Sequence, residues 1–319
     1  MNFLVVGAGA LGGYFGGRLL QAGCDVSFLL RPDRAAQFAA SGLVIHSPAG
    51  DMHWPAPTVL LAHQIRKPYD AVIIACKAYD LEEAIAAFAP AVGPETVLLP
   101  LLNGLRHIDR LSERFGGRRV IGGFGGISAV LDETGAVLHL SREHTLGFGE
   151  LYGARSKRVD ALASAFSQAR FDSQPGDAIL QVLWERWVHV AALAAITTLM
   201  RASVGDIVRA GNQDLALDML DECAQIATHN GFAPRKEALE RMRGALTNAN
   251  SLLTASMSRD IELGARTEGD HILGDLLRRG RWFTTDTVLL PVAFAQVQSH
   301  EARRTRESAD AAASQRRVA

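Results

Sequence analysis

Residues 7–12 read Gly7-Ala8-Gly9-Ala10-Leu11-Gly12, the GxGxxG spacing that lets a main chain bend closely around a phosphate. The first glycine permits a tight turn and the second lets backbone N–H groups approach a pyrophosphate. The third lets a helix pack against a strand, and that helix presents amide donors and the positive end of its dipole. A site reading the ribose 2′-hydroxyl of NAD usually has Asp or Glu about 20 residues further on. Here the place is taken by Arg31, followed by Arg34. A guanidinium can grip a 2′-phosphate with two parallel charge-assisted bonds, so the pattern favours NADP(H). Asp33 nearby keeps NAD open as a second coenzyme, and a solvated loop charge is the other role open to Arg31.

Such a loop needs a strand before it and a helix after it, and the sequence supplies both. Apolar residues 3–7 predict a strand, 11–22 a helix and 26–30 a second strand, a βαβ opening with parallel pairing. Further buried strands are expected at 71–76 and 97–102, with a helix at 81–88 between them. From 120 to 150 short apolar segments alternate with glycine, and the DETG at 132–135 predicts a hairpin turn, hence an antiparallel extension of the sheet. The polar DSQPGD at 172–177 reads as a break, beyond which the spacing is helical. The expected fold is therefore α/β: a Rossmann-type doubly wound domain over 1–175, then an all-α domain over 176–319 that contacts substrate. From about residue 303 the Arg-, Ala- and Ser-rich stretch predicts a frayed or mobile tail.

The 319 residues fit two domains better than one core. Hydrophobic residues make up 48% and charged residues 21% of the chain, a globular balance. A formal net charge of −1 supplies no field to gather nucleic acid or an anionic membrane, so the expected partners are small molecules. Cys24, Cys76 and Cys223 have no disulfide or zinc spacing, which together with an N-terminus unlike a secretory signal predicts a reducing cytoplasm and no metal. The longest later apolar run, 188–200, falls short of the ~20 residues of a membrane helix and reads as core.

The opening GAGALGGYFGGRLLQAGCDVSFLLR, the CKAYD at 76–80, the LNG at 102–104 and the SMSRDIELGARTEGDHILG at 256–274 together resemble ketopantoate reductase, or 2-dehydropantoate 2-reductase. The resemblance spans nearly the whole chain. It implies reduction of ketopantoate to pantoate with NADPH, on the route to pantothenate and coenzyme A. It makes Gly7, Ala8, Gly9, Ala10, Leu11, Gly12 and Arg31 coenzyme contacts. It places Lys77 and Asn103 at strand ends facing nicotinamide and substrate, Ser256 on the substrate, and Glu268 near the catalytic centre and in contact with the coenzyme. Without it, Lys77 would read as a surface lysine and Asn103 as a turn former before Gly104. TEGD at 267–270 also reads as a capping box, with Thr267 as the cap and Asp270 reaching back, a role compatible with presenting Glu268.

One segment departs from the family pattern. Two residues after a tryptophan the family has a lysine general acid, followed at one-turn intervals by two asparagines; after Trp184 this chain has Arg186, Val190 and Ala194. Arginine keeps the charge but does not readily lose a proton, so Arg186 suits a carboxylate clamp or oxyanion stabiliser rather than an acid. His189, nearly on the same helical face, can contact substrate or donate the proton, Lys77 and water being alternatives; a packed core histidine is the commoner role. The expected catalytic set is thus Arg186, Lys77 and Glu268, with Asn103, Ser256, Arg186 and His189 on a small 2-keto acid. A homodimer is open to the chain. The rival readings are the same fold reducing another keto acid or ketone, and a non-catalytic NADP-binding sensor.

Overall fold

The apolar run Asn2–Val6 (β1) forms the centre of a parallel sheet, and Phe3, Leu4, Val5 and Val6 are all buried. A strand covered on both faces has no polar side to alternate with, which is why it reads as a continuous apolar run. The structure, a computed structural model, describes residues 1–281 and 286–318, the side chains of 312–318 excepted. The chain continues through α1 (Ala10–Gln21), β2 (Asp25–Leu29), α2 (Pro32–Ser41), β3 (Leu43–His46), β4 (Met52–Trp54), β5 (Thr58–Leu60), β6 (Ala71–Ile74), α3 (Leu81–Phe88), β7 (Val97–Pro100) and α4 (Arg106–Phe115). The first sheet has the order β5-β2-β1-β6-β7, every pair parallel. Strand order reverses between β1 and β6, the kind of switch point where open α/β sheets hold ligands beyond their carboxyl ends. Tyr14 and Phe15 on α1 and Phe28 on β2 are buried in this core, each contributing about 1.5–3 kcal/mol by leaving water.

The hairpin expected at 120–150 is present as β8 (Gly122–Leu131) and β9 (Val137–Gly149), antiparallel. Its turn is fixed by Asp132, whose carboxylate accepts from the backbone N–H groups of Thr134 and Ala136, with Gly135 at φ 84°. Just before β8, Ile121 N–H donates to Leu98 O (3.0 Å), which joins the hairpin to the first sheet. The hairpin then recruits β3, β4 and β10 (Asp172–Pro175) into a second sheet of order β10-β9-β3-β4, with β8 on β9. Sequence patterning did not separate this sheet from the first. The supposed break at 172–177 is a strand in part: β10 pairs in parallel with β9 at the sheet edge, so its pairing comes from β9 rather than from apolar alternation. Helix α5 (Lys157–Phe166) lies between β9 and β10 in the chain.

The remaining elements are helical: α6 (Ile179–Met200), α7 (Val204–Arg209), α8 (Gln213–His229), α9 (Lys236–Leu246), α10 (Ser256–Glu262), a π-helical turn Asp270–Gly274, α11 (Asp275–Arg281) and α12 (Leu289–Val318). Two compact units emerge, Met1–Leu183 and Trp184–Ala319, so the division falls inside α6 rather than at 175/176. The first residues of α6 pack in the first unit, where Ile179 and Leu183 crowd Gly122. Helix α6 is long and apolar enough to cross a membrane by composition, yet 67% of that window is buried within the protein, as in a core helix. The tail expected from residue 303 is helical as far as Val318, and residues 305–311 are exposed.

Candidate coenzyme and substrate sites

In the first unit, the predicted coenzyme residues lie at the carboxyl ends of β1, β2, β6 and β7. Gly7 turns at φ 85°, and its N–H donates to Leu29 O at 3.1 Å, tying the loop to the end of β2. A Cβ on Gly12 would lie 2.0 Å from Gly7 O and 3.0 Å from Ala75 Cβ, so only glycine allows α1 this close to the strands. Gly9, the residue capping α1, has nothing within 4 Å of where its Cβ would stand. The loop is therefore closed on its inner side and open at Gly9, which fits a dinucleotide pyrophosphate resting on main-chain donors.

Arg31 stands just after β2 at the cap of α2 and is half-exposed. Its Nη2 meets Asp80 Oδ1 at 2.9 Å and also Glu83 Oε2. These acids, Asp80 first, strengthen its hold on the proton. Arg34 turns the other way: Nε donates to Ala8 O at 2.9 Å inside the glycine loop, Nη1 donates to Gln37, and the guanidinium lies 4.8 Å from the Phe38 ring centroid. Burial lowers its pKa, and Nη2 is buried without a hydrogen-bond partner in the described structure. Sequence reading missed the Arg34 brace and the acids on Arg31. The arginine spacing across the first turn of α2 was the available signal for the former.

Lys77 is half-buried and caps a short 3₁₀ turn, Ala78–Asp80, in which Asp80 N–H donates to Lys77 O (2.9 Å). Asn103 follows β7, half-buried, and Gly104 after it has φ 74°, so the Asn-Gly turn is made. The turn expected of Asn103 and Gly104 is present.

In the second unit α6 is the common support. Trp187, fully buried, donates from Nε1 to Ile272 O at 2.9 Å, binding α6 to the turn that follows Glu268. The Arg279 guanidinium lies 5.5 Å from the Trp187 ring centroid, and Trp184 stacks on Phe232. Buried Glu185 accepts from Arg235 N (2.9 Å), Nε (2.7 Å) and Nη2 (2.6 Å). Further along, Thr197 Oγ1 accepts from Ala255 N–H and Thr197 O from Ser258 Oγ, both at 3.3 Å, which anchors the start of α10 and so places exposed Ser256.

Arg186 is half-buried on α6, Val190 is half-buried, and Ala194 is buried. His189 Nδ1 is buried with no hydrogen-bond partner in the described structure. Burial, and secondarily the charge on Arg186, push the His189 pKa down, so the ring is neutral near pH 7 and a poor proton donor. Glu268 is half-buried, and its carbonyl accepts from the N–H groups of His271 (3.0 Å) and Ile272 (2.9 Å). Thr267, the cap expected at 267–270, accepts at Oγ1 from Gly269 N–H (3.4 Å). Thr267 N–H and Oγ1 also donate to Glu301 Oε1 (2.7 and 2.8 Å), and Asp270 Oδ1 accepts from Arg278 Nη1 (2.9 Å). Glu301, distant in sequence, thus holds the residue that caps this turn.

Two family models match the chain in succession: "Ketopantoate reductase PanE/ApbA" over residues 3–153 and its "C terminal" counterpart over 178–301. The chain belongs to the ketopantoate reductase family. Among similar proteins, the uncharacterized oxidoreductase YkpB of Bacillus subtilis is 37% identical, over 95% of this chain and 99% of its own. The 2-dehydropantoate 2-reductase of Pyrococcus horikoshii is 26% identical over 94% and 98% of the two chains. A crystal structure of 2-dehydropantoate 2-reductase from Geobacter metallireducens superposes with a TM-score of 0.85 at 28% identity, covering 94% of this chain and 99% of that one. D-mandelate dehydrogenase, solved with NADH and anilino(oxo)acetate, shares the ketopantoate reductase fold with a TM-score of 0.86 at 20% identity, over 96% and 100% of the chains. The chain is thus a member of an oxidoreductase family.

Proposed function

We propose that the protein reduces 2-dehydropantoate to pantoate with NADPH in the cytoplasm, on the route to pantothenate and coenzyme A. The observation that carries this reading is the glycine loop, shut by Gly12 against Gly7 O and open at Gly9, at the switch point of a parallel sheet in a chain of this family. Its main-chain donors would hold the pyrophosphate, and Arg31 the 2′-phosphate. The bound coenzyme supplies the hydride that reduces the keto carbon. Arg186 would hold the substrate carboxylate or stabilise the developing alkoxide, with Asn103, Ser256 and Glu268 orienting the substrate. Arginine holds its proton and His189 is neutral, which leaves Lys77, or water, to protonate the alkoxide. A homodimer is the assembly proposed.

A second reading rests on Val190 and Ala194. Where the family places amides that can bond a substrate hydroxyl, this chain has hydrocarbon, which suits a 2-keto acid with a more apolar side chain. Steady-state oxidation of NADPH with ketopantoate and with a panel of aliphatic and aromatic 2-keto acids tests both. The highest kcat/KM on ketopantoate supports the first reading. A clear preference for an apolar keto acid transfers the assignment to the second, and tight coenzyme binding without turnover refutes both.

A further inference from the structure

The Arg31 guanidinium already holds two carboxylates. A guanidinium offers two bidentate faces, Nε with Nη2 and Nη1 with Nη2, and both use Nη2. That is the atom bonded to Asp80 Oδ1 at 2.9 Å and to Glu83 Oε2, so its two N–H groups are both engaged. A 2′-phosphate gripped by either face must displace at least one acid, and the displaced carboxylate stays beside the phosphate as a like charge. We propose that Asp80 and Glu83 are coenzyme-selectivity residues, which compete with the 2′-phosphate for Arg31 and so narrow the preference for NADPH over NADH. The inference rests on the reading that Arg31 meets the 2′-phosphate.

The two acids are not equivalent. Asp80 is the less exposed, at 24%, and belongs to the 3₁₀ turn capped by Lys77, so its position is fixed by the backbone. Glu83 lies in the first turn of α3, 69% exposed, and can swing into water when a phosphate arrives. Asp80 is therefore the stronger competitor. Glu82 on the same turn of α3 bonds Arg110 Nε at 2.8 Å and serves as a control for loss of charge alone.

The test is calorimetric titration of the full-length protein with NADPH and with NADH, with no keto acid present. Asp80→Asn with Glu83→Gln is expected to raise the ratio of NADH to NADPH dissociation constants about tenfold, with Asp80→Asn giving the larger single effect. Glu82→Gln is expected to move the ratio less than twofold, as a screened surface charge does. In an Arg31→Ala background the double change is expected to raise the ratio by clearly less than it does with Arg31 present, since only like-charge repulsion is then removed; an equal rise refutes the competition for Arg31. If Arg31→Ala lowers the ratio but the acid variants do not raise it, Arg31 reads the phosphate and the competition is refuted. If Arg31→Ala itself leaves the ratio unchanged, the placement of Arg31 on the coenzyme fails. A rise equal to that of Glu82→Gln overturns the proposal in favour of a general field effect.

Discussion

The two units build their candidate sites from different material. In the first, the coenzyme loop is main chain: Gly7 turns, Gly12 admits α1, and Gly9 faces open space, all dictated by where β1, β2 and β6 end. In the second, every candidate is a side chain carried by α6 or by a segment tied to it, through Trp187 to Ile272 and Thr197 to Ala255. A backbone site changes only if the fold changes. A side-chain site can be rewritten residue by residue on an intact frame, and Arg186, Val190 and Ala194 are the positions where the sequence resemblance implies such rewriting.

The contrast is broken most directly at Arg186. Arg186→Ala is expected to lower kcat/KM about 10²- to 10³-fold while the melting temperature holds, since the loss is of transition-state stabilisation. Arg186→Lys sharpens the result. On ketopantoate it should hold or raise activity and add a lysine limb to the pH profile, whereas on a substrate needing a two-pronged grip it should lower activity. Unchanged kcat/KM in both variants would remove Arg186 from the site.

Gly12→Ala addresses the main-chain half. The new Cβ has no room beside Gly7 O, so α1 must shift, at a cost of about 1–3 kcal/mol of stability together with weakened binding of both NADPH and NADH. Denaturant midpoints and coenzyme titrations read this, and loss of affinity for one coenzyme only would contradict it.

Glu268→Gln should cost about 1 kcal/mol of stability or less, as a change beside a helix start does, yet reduce kcat/KM per folded molecule. If the stability alone changes, Glu268 is only structural. The smallest effect concerns His189, whose pKa is lowered in the folded protein. Below about 6.5 the unfolded chain takes up a proton there and the folded protein does not, so His189 contributes stability above that pH that is lost on acidification toward its folded pKa. His189→Leu should flatten the fall in urea midpoint between pH 7.5 and 5.5. An equally steep fall would show that the ring does not titrate as its burial implies.

The same contrast separates what was legible in the sequence from what was not. β1, β2, β6 and β7 were readable because strands buried on both faces are almost unbroken apolar runs, and the loop because its glycines have fixed spacing. β10 was not, since an edge strand takes its bonds from β9 and needs no alternation of its own. The acids on Arg31 lie 49 and 52 residues away, and the Glu301 carboxylate that takes the Thr267 N–H and hydroxyl lies 34 residues away. Such pairings leave no local pattern. The role of α6 as support depends on tertiary bonds from Trp187 and Thr197 that its spacing alone does not announce.

That support restricts how the protein can vary. An α-helix turns by about 100° per residue, so one residue inserted between Trp187 and Thr197 would rotate the two anchors against each other, and the bonds to Ile272 and Ala255 could not both be kept while Arg186 and Ala194 held their places. A length change there damages support and side chains at once, whereas an exchange at position 186, 190 or 194 leaves the bonds of Trp187 and Thr197 in place. Descent with altered substrate choice is thereby channelled into point replacements along one helix, and gains or losses of length are confined to the connections outside it.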